Sequence, residues 1–247
     1  MESEHIVKAY DEQLAQLDRL IAEMGGLAET QLADAIAALV RRDVELAQRV
    51  AEHDARIDAL EAEVDGLTMR ILALRQPMAE DLRTVIAALK TASDLERIGD
   101  YARNMANRTV ALTRMQPIGS APHTVARMGT LVQGMIKNVL DAYIARDAAR
   151  ADDVRLRDRE VDQLHTSLFR ELLTYMLEDP RNITTCTHLL FIAKNVERIG
   201  DHVTNIAEHV HMMVLGETPE PGRPKGDRSS FTVLETPPRR EPGATDG

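Results

Sequence analysis

The chain has 247 residues, 40 acidic against 30 basic side chains, a formal net charge of −10, one cysteine and no tryptophan. That charge works against binding nucleic-acid phosphates, which rests on clustered Lys and Arg, and suits cations or basic protein surfaces. Cys186 alone makes no internal disulfide and no cysteine metal site, Met1–His5 lacks the regions of a secretory signal, and no apolar run approaches the ~18–20 residues of a membrane span, so the expectation is a cytoplasmic protein.

Aromatic residues are only 3% of the chain, and its abundant Ala, Leu, Arg, Asp and Glu favour helix over sheet. Apolar residues recur at helical spacing almost throughout. A first helix is expected from Ser3 to Val40, with a kink or short break at Gly25-Gly26. A second is expected over Val44–Leu74, ended by Pro77, and a third over Ala79–Met115. The Pro- and Gly-containing stretch 116–122 reads as a linker. Three more helices are expected over His123–Ala145, Ala148–Leu177 and Thr184–Val214, the last two separated by the turn Asp179-Pro180-Arg181-Asn182. From Glu217 the chain is rich in Pro, Gly, Arg and Ser, and 217–247 is expected to be a disordered tail.

The two sets of three helices are copies. Glu96-Arg97-Ile98-Gly99-Asp100 recurs unchanged as Glu197-Arg198-Ile199-Gly200-Asp201, 101 residues on. Extended outward, LERIGDYARNMA and VERIGDHVTNIA agree at 7 of 12 positions. Asp43, Asp54 and Asp58 match Asp147, Asp158 and Asp162, each 104 residues on. A duplication of this kind sets the architecture. The expectation is an all-α protein of two tandem three-helix bundles, over residues 3–115 and 123–215, with antiparallel neighbours joined by short turns.

Both copies carry acidic stripes at i, i+4. On a helical wheel Glu96, Asp100 and Asn104 fall on the side opposite Leu95, Ile98, Ala102 and Met105. Glu197, Asp201 and Asn205 repeat the arrangement, and Asp54, Asp58, Glu61 and Asp65 form a similar stripe on the second helix, with Asp158, Asp162 and His165 on its copy. The wheel predicts that these carboxylates face away from the core of their bundle. Like charges at i, i+4 cost ~0.2–0.5 kcal/mol, and a mid-helix glycine such as Gly99 or Gly200 costs about 1 kcal/mol. A bound cation would offset both, since such carboxylates on adjacent helices could bridge hard metal ions. The glycine would admit a metal, a water or another helix. The plainer reading is a solvated face with surface ion pairs to Arg97, Arg103 and Arg198, worth little.

The doubled motif, with Asp94-Leu95 before its first copy, Asn104 and Asn205 after each, His202 after the second, and Pro77 followed by Asp81-Leu82-Arg83, resembles the PhoU family, the accessory regulators of phosphate-specific transport. The resemblance covers roughly residues 5–215. It implies multinuclear metal clusters of Fe, Mn, Zn or Mg, with Asp54, Asp58, Glu96 and Asp100 as ligands in one half and Asp158, Asp162, Glu197 and Asp201 in the other. Asn104, Asn205, Arg97 and Arg198 stand as supporting residues around them. It further implies a non-enzymatic negative regulator of phosphate-starvation signalling and phosphate uptake. Such a regulator links the ATPase subunit of the phosphate ABC transporter to a sensor histidine kinase, acts as a homodimer, and reaches the membrane only through partners. Asn195 in place of Asp94 and His165 in place of Glu61 make the two metal sites potentially unequal.

Two other functions compete. A ferritin-like di-metal oxidoreductase needs inward Glu and two Glu-x-x-His motifs; Glu208-x-x-His211 matches once, and Asp162-x-x-His165 in part. A metal-free helical scaffold would leave the acidic stripes empty. Among smaller features, Cys186 reads as structural, His202 as a packing or surface residue, and Met128, Met135, Met176, Met212 and Met213 as core filler.

Overall fold

A computed structural model describes residues 2–217 and 219. Among them are six α-helices and no strand: α1 (Glu2–Arg41), α2 (Val44–Arg75), α3 (Ala79–Leu112), α4 (Ala121–Ala145), α5 (Ala148–Glu178) and α6 (Ile183–Leu215), with a 3-10 turn at Pro180–Asn182 before α6. The expected helix bounds hold to within three residues. Apart from Glu217 and Pro219, the expected tail lies outside the described residues.

The same local chemistry builds both copies. Arg42 and Arg146 take left-handed backbone conformations, φ 56° and 54°. Each is followed by an aspartate that caps the next helix: the Asp43 carboxylate accepts from the Leu46 amide at 2.9 Å and Asp147 from the Arg150 amide at 3.0 Å. Such caps satisfy amides that the first turn leaves unpaired. The Arg42 guanidinium then donates through Nη2 to the carbonyls of Leu112 (2.9 Å), Thr113 (3.0 Å) and Met115 (2.7 Å), closing the end of α3. Its counterpart Arg146 instead forms a bidentate pair with Asp18 of the other half, at 3.0 and 2.9 Å.

Helices α1–α3 pack on one another, as do α4–α6, and the two bundles share one apolar core. Two antiparallel seams join them. Along α3 and α6, Arg83 reaches Met213, Asp94 reaches His202 and His209, and Arg108 lies over the Phe191 ring. Residue numbers rise on one helix as they fall on the other.

The α1–α4 seam is reciprocal. A Cβ built on Gly25 would fall inside the side chain of Leu140, and one on Gly129 inside that of Ile36. Each partner is the other's repeat equivalent, 104 residues on, so an internal two-fold axis relates the halves. Here the sequence expectation needs correction. Helix α1 runs unbroken through Gly25-Gly26, and Gly25 serves as a notch for the opposing Leu140 side chain. Gly26 has nothing within 4 Å of an added Cβ.

Gly26→Ala should therefore raise stability by about 1 kcal/mol through helix propensity alone. Gly129→Val should lower it by ~1–3 kcal/mol, because the seam is overfilled. Thermal or urea denaturation monitored by circular dichroism checks both signs.

Candidate functional site

In each half, the glycine of the repeated motif faces an aspartate of the preceding helix. A Cβ on Gly99 would stand 3.0 Å from Asp54 Oδ1, and one on Gly200 would stand 2.7 Å from Asp158 Oδ1. Of the three visitors the sequence left open for this glycine, the structure places another helix there. The bare backbone lets α3 cover the carboxylate of α2, and α6 that of α5.

The outward orientation expected from the wheel is accordingly only partly met. Asp54, Asp158, Asp162 and Glu197 are 2, 2, 3 and 6% exposed. Glu96, Asp100 and Asp201 are half-buried, and Asp58 is open to solvent. The stripes lie along the α2–α3 and α5–α6 seams, beside the apolar arcs. A wheel drawn for one helix contains no information about which flank its neighbour covers.

The first seam is laced with its own cations. Arg103 donates to Asp54 Oδ2 through Nη1 and to Asp100 Oδ1 through Nη2, tying α2 to α3. Gln31 of α1 donates to Asp54 Oδ1 at 3.1 Å and to the Val50 carbonyl at 3.2 Å. Arg97 reaches Asp100 at 3.1 Å and Glu96 at 3.4 Å. Burial pushes the Asp54 carboxyl up, with Gln31 and Arg103 opposing that shift. Burial, followed by the charge of Asp100, pushes Glu96 up to about 7. Glu61 is raised by burial and then by Asp65.

The second seam is dressed differently. Met135 and Thr204 occupy the positions equivalent to Gln31 and Arg103. Asp158, Asp162 and His165 are buried on α5, with Asp158 against Gly200 of α6 and His165 acting electrostatically on Glu197. Glu197 Oε1 pairs with Lys194 at 2.8 Å, and its Oε2 is buried without a hydrogen-bond partner. Burial pushes its carboxyl up, and Lys194 opposes the shift. Of the residues expected to support the stripes, only Arg97 touches them by a described contact. Arg198 lies 5.8 Å from the Tyr101 ring, Asn205 donates to Asp94 at 3.2 Å, and Asn104 is exposed.

One polar cluster went unread in the sequence. Asp94 of α3 is buried at the junction of the halves, with Oδ1 2.7 Å from His202 Nδ1 and Oδ2 2.9 Å from His209 Nε2. Burial alone would raise its pKa, but His202, His209 and Asn205 outweigh that and hold it below the usual carboxylate range. His202 and His209 sit seven residues apart on one helical face, which was the available signal; the partner came from the other repeat and could not be paired by spacing.

Among the described residues, no three acidic, histidine or cysteine side chains are grouped closely enough to hold a metal as they stand. The donors along both seams are carboxylates, with one imidazole at His165, a set that suits hard or borderline cations. The observation that fits a metal is the buried Glu197 Oε2, an acceptor left over in the second seam.

The raised pKa of Glu96 has a signed consequence for stability. With a folded value of about 7 against 4.5, the native state holds a proton that the unfolded state has released, so stability falls as pH rises from 4.5 to 7 and stays lowered above. In chelator-treated protein, Glu96→Gln should be more stable than the parent at pH 8, by on the order of 1 kcal/mol after screening, or roughly 2–4 °C in Tm. The gap should vanish near pH 4; melts at the two pH values read it.

The PhoU domain family matches residues 21–109 and 125–210, that is, both copies of the repeat. The "phosphate-specific transport system accessory protein PhoU homolog" of Caulobacter vibrioides (strain NA1000 / CB15N) is 53% identical over 225 residues, covering 91% of this chain and 98% of its own. The homolog of the same name from Rhizobium meliloti (strain 1021) is 48% identical, covering 93% and 97%. The crystal structure of PhoU from Pseudomonas aeruginosa superposes with a TM-score of 0.82 at 40% identity, covering 84% of this chain and all of that one. The phosphate transport system regulatory protein PhoU from Streptococcus pneumoniae superposes with a TM-score of 0.79 at 28% identity, covering 85% and 99%. Two repeats, six helices and end-to-end similarity to these proteins lead to one assignment: the chain belongs to the PhoU family.

Proposed function

We propose that the protein is a non-enzymatic regulator of a phosphate-specific transport system, restraining phosphate uptake and phosphate-starvation signalling when phosphate is plentiful. The reading is carried by the similarity to phosphate-transport accessory proteins over nine-tenths of the chain, both repeats included. Its proposed partners are the ATPase subunit of the transporter and a membrane sensor histidine kinase. The protein works in the cytoplasm, forms a homodimer, and meets the membrane through those partners. No helix among the described residues is long and apolar enough to cross a bilayer.

The shape suits a go-between. Exposed Met69, Leu74, Met78 and Leu82 gather around the α2–α3 turn, and exposed Leu177 and Ile183 flank the α5–α6 turn. Because α3 and α6 run antiparallel, these turns lie at opposite ends of helices roughly 50 Å long. Two apolar tips facing opposite ways can engage two proteins at once, and exposed apolar patches of this kind mark contact surfaces.

The acidic seams are the proposed metal centres, with Asp54, Asp58, Glu96, Asp100, Asp158, Asp162, Glu197 and Asp201 as the pool of ligands and Fe, Mn, Zn or Mg as the candidate ions. Bound there, a divalent cation would supply the charge compensation that the carboxylates require and would stiffen the α2–α3 or α5–α6 pair. The ferritin-like alternative gains nothing from the geometry: Glu208 pairs with Arg155 at 3.5 Å and His211 with Asp152 at 3.2 Å, away from the carboxylates of the repeated motif.

A deletion strain grown in excess phosphate should express alkaline phosphatase constitutively; normal repression would overturn the regulatory reading. Replacing Glu96, Asp100, Glu197 and Asp201 with Ala should keep the helical circular dichroism signal, remove bound metal and weaken phosphate-responsive repression by several-fold. Unchanged metal content in that variant would refute the ligand pool.

A further inference from the structure

Helix α6 finishes at the same end of the molecule as the α2–α3 turn. Gly216 closes it in a left-handed conformation, φ 79°, with its amide donating to the Met212 carbonyl at 2.9 Å. A Cβ on Gly216 would stand 3.3 Å from the guanidinium of Arg83, and Arg83, near the start of α3, donates to the Met213 carbonyl at 3.3 Å. The chain beyond Gly216 therefore sets out beside α3, one residue from Leu82. Around this exit the helices leave apolar side chains open: Met78 is 80%, Leu74 69%, Leu215 54% and Leu82 39% exposed.

The sequence from 217 to 247 holds a segment that matches this surface in chemistry and in reach. Prolines aside, its apolar side chains are Phe231, Val233 and Leu234, with Ala244 near the end; the remainder is Pro, Gly, Thr, Ser and charged residues. Apolar groups gain by leaving water, and a stretch this polar offers them nothing of its own to pack against. Phe231 lies 15 residues beyond Gly216. A chain of that length and composition spans roughly 20 Å on average, which centres its reach on the α2–α3 end. The α5–α6 turn lies at the other end of helices roughly 50 Å long, and reaching it would draw the same residues out to their limit of about 50 Å. A tether of this length holds the segment near its exit at an effective concentration in the millimolar range, so a small apolar contact is enough.

We propose that Phe231-Thr232-Val233-Leu234 docks on the apolar end of its own chain, against Leu74, Met78, Leu82 and Leu215, and so covers the surface at the α2–α3 turn. The consequence for regulation rests on the reading of that end as a partner contact. A partner that engages it has to lift the segment off, and a chain with the segment in place presents only its α5–α6 end.

Met78 reports on the surface directly, because oxidation of a thioether follows its access to solvent. In the full chain treated with dilute hydrogen peroxide and followed by peptide mass spectrometry, Met78 is expected to oxidise several-fold more slowly than in the triple variant Phe231→Ser, Val233→Ser, Leu234→Ser. Met176, half-buried near the end of α5, is expected to react at the same rate in both. A Met78 rate that the three substitutions leave unchanged overturns the proposal. Cysteine pairing locates the contact, since the native Cys186 is buried. Met78→Cys with Val233→Cys is expected to form a disulfide within one chain under mild oxidation, and Leu177→Cys with Val233→Cys is not. Equal yields at the two ends, or disulfides found only between chains, overturn it. No partner is present in either measurement, so their failure is distinct from failure of the regulatory reading, which the deletion strain tests.

Discussion

At Gly99 and Gly200 a helix backbone comes so near to an aspartate of its neighbour that an added Cβ would crowd the carboxylate oxygen. This approach fixes the rest of the molecule. It sets the spacing of α2 against α3 and of α5 against α6, and it carries Asp54 and Asp158 from solvent into the seams. A buried carboxylate must then find compensation, because an isolated charge in a low-dielectric seam is far costlier than the glycine itself. The repeated motif is therefore best understood as a pair of coupled choices, a glycine on one helix and an acid on the next.

The two halves carry different residues around these carboxylates. The first supplies Arg103 and Gln31 from its own helices. The second has Thr204 and Met135 at those places and keeps a buried acceptor on Glu197.

The halves are held together by devices that also come in pairs. Gly25 with Leu140 and Gly129 with Ile36 interlock α1 and α4 about an internal two-fold axis. The α3–α6 seam breaks the symmetry: Asp94 gathers His202, Asn205 and His209, while its counterpart is Asn195. Antiparallel packing along both seams places the α2–α3 and α5–α6 turns at opposite ends of the helices.

The sequence by itself determined the helices, their turns and the duplication. These depend on local periodicity, on caps such as Asp43 and Asp147, and on self-similarity, all of which reside in short stretches of chain. It also marked the residues of the site, because an unfavourable choice made twice stands out against its own copy. Tertiary structure alone decided where those residues point. The wheel set Asp54 and Asp158 on another side from their apolar residues, yet burial of a helix flank is set by its neighbour's crossing, and that crossing depends on a glycine dozens of residues away. The same holds for Gly25, whose partner Leu140 is on another repeat, and for Asp94, whose histidines lie more than a hundred residues on. Such pairings arise from contacts between helices, and no periodicity within one helix encodes them.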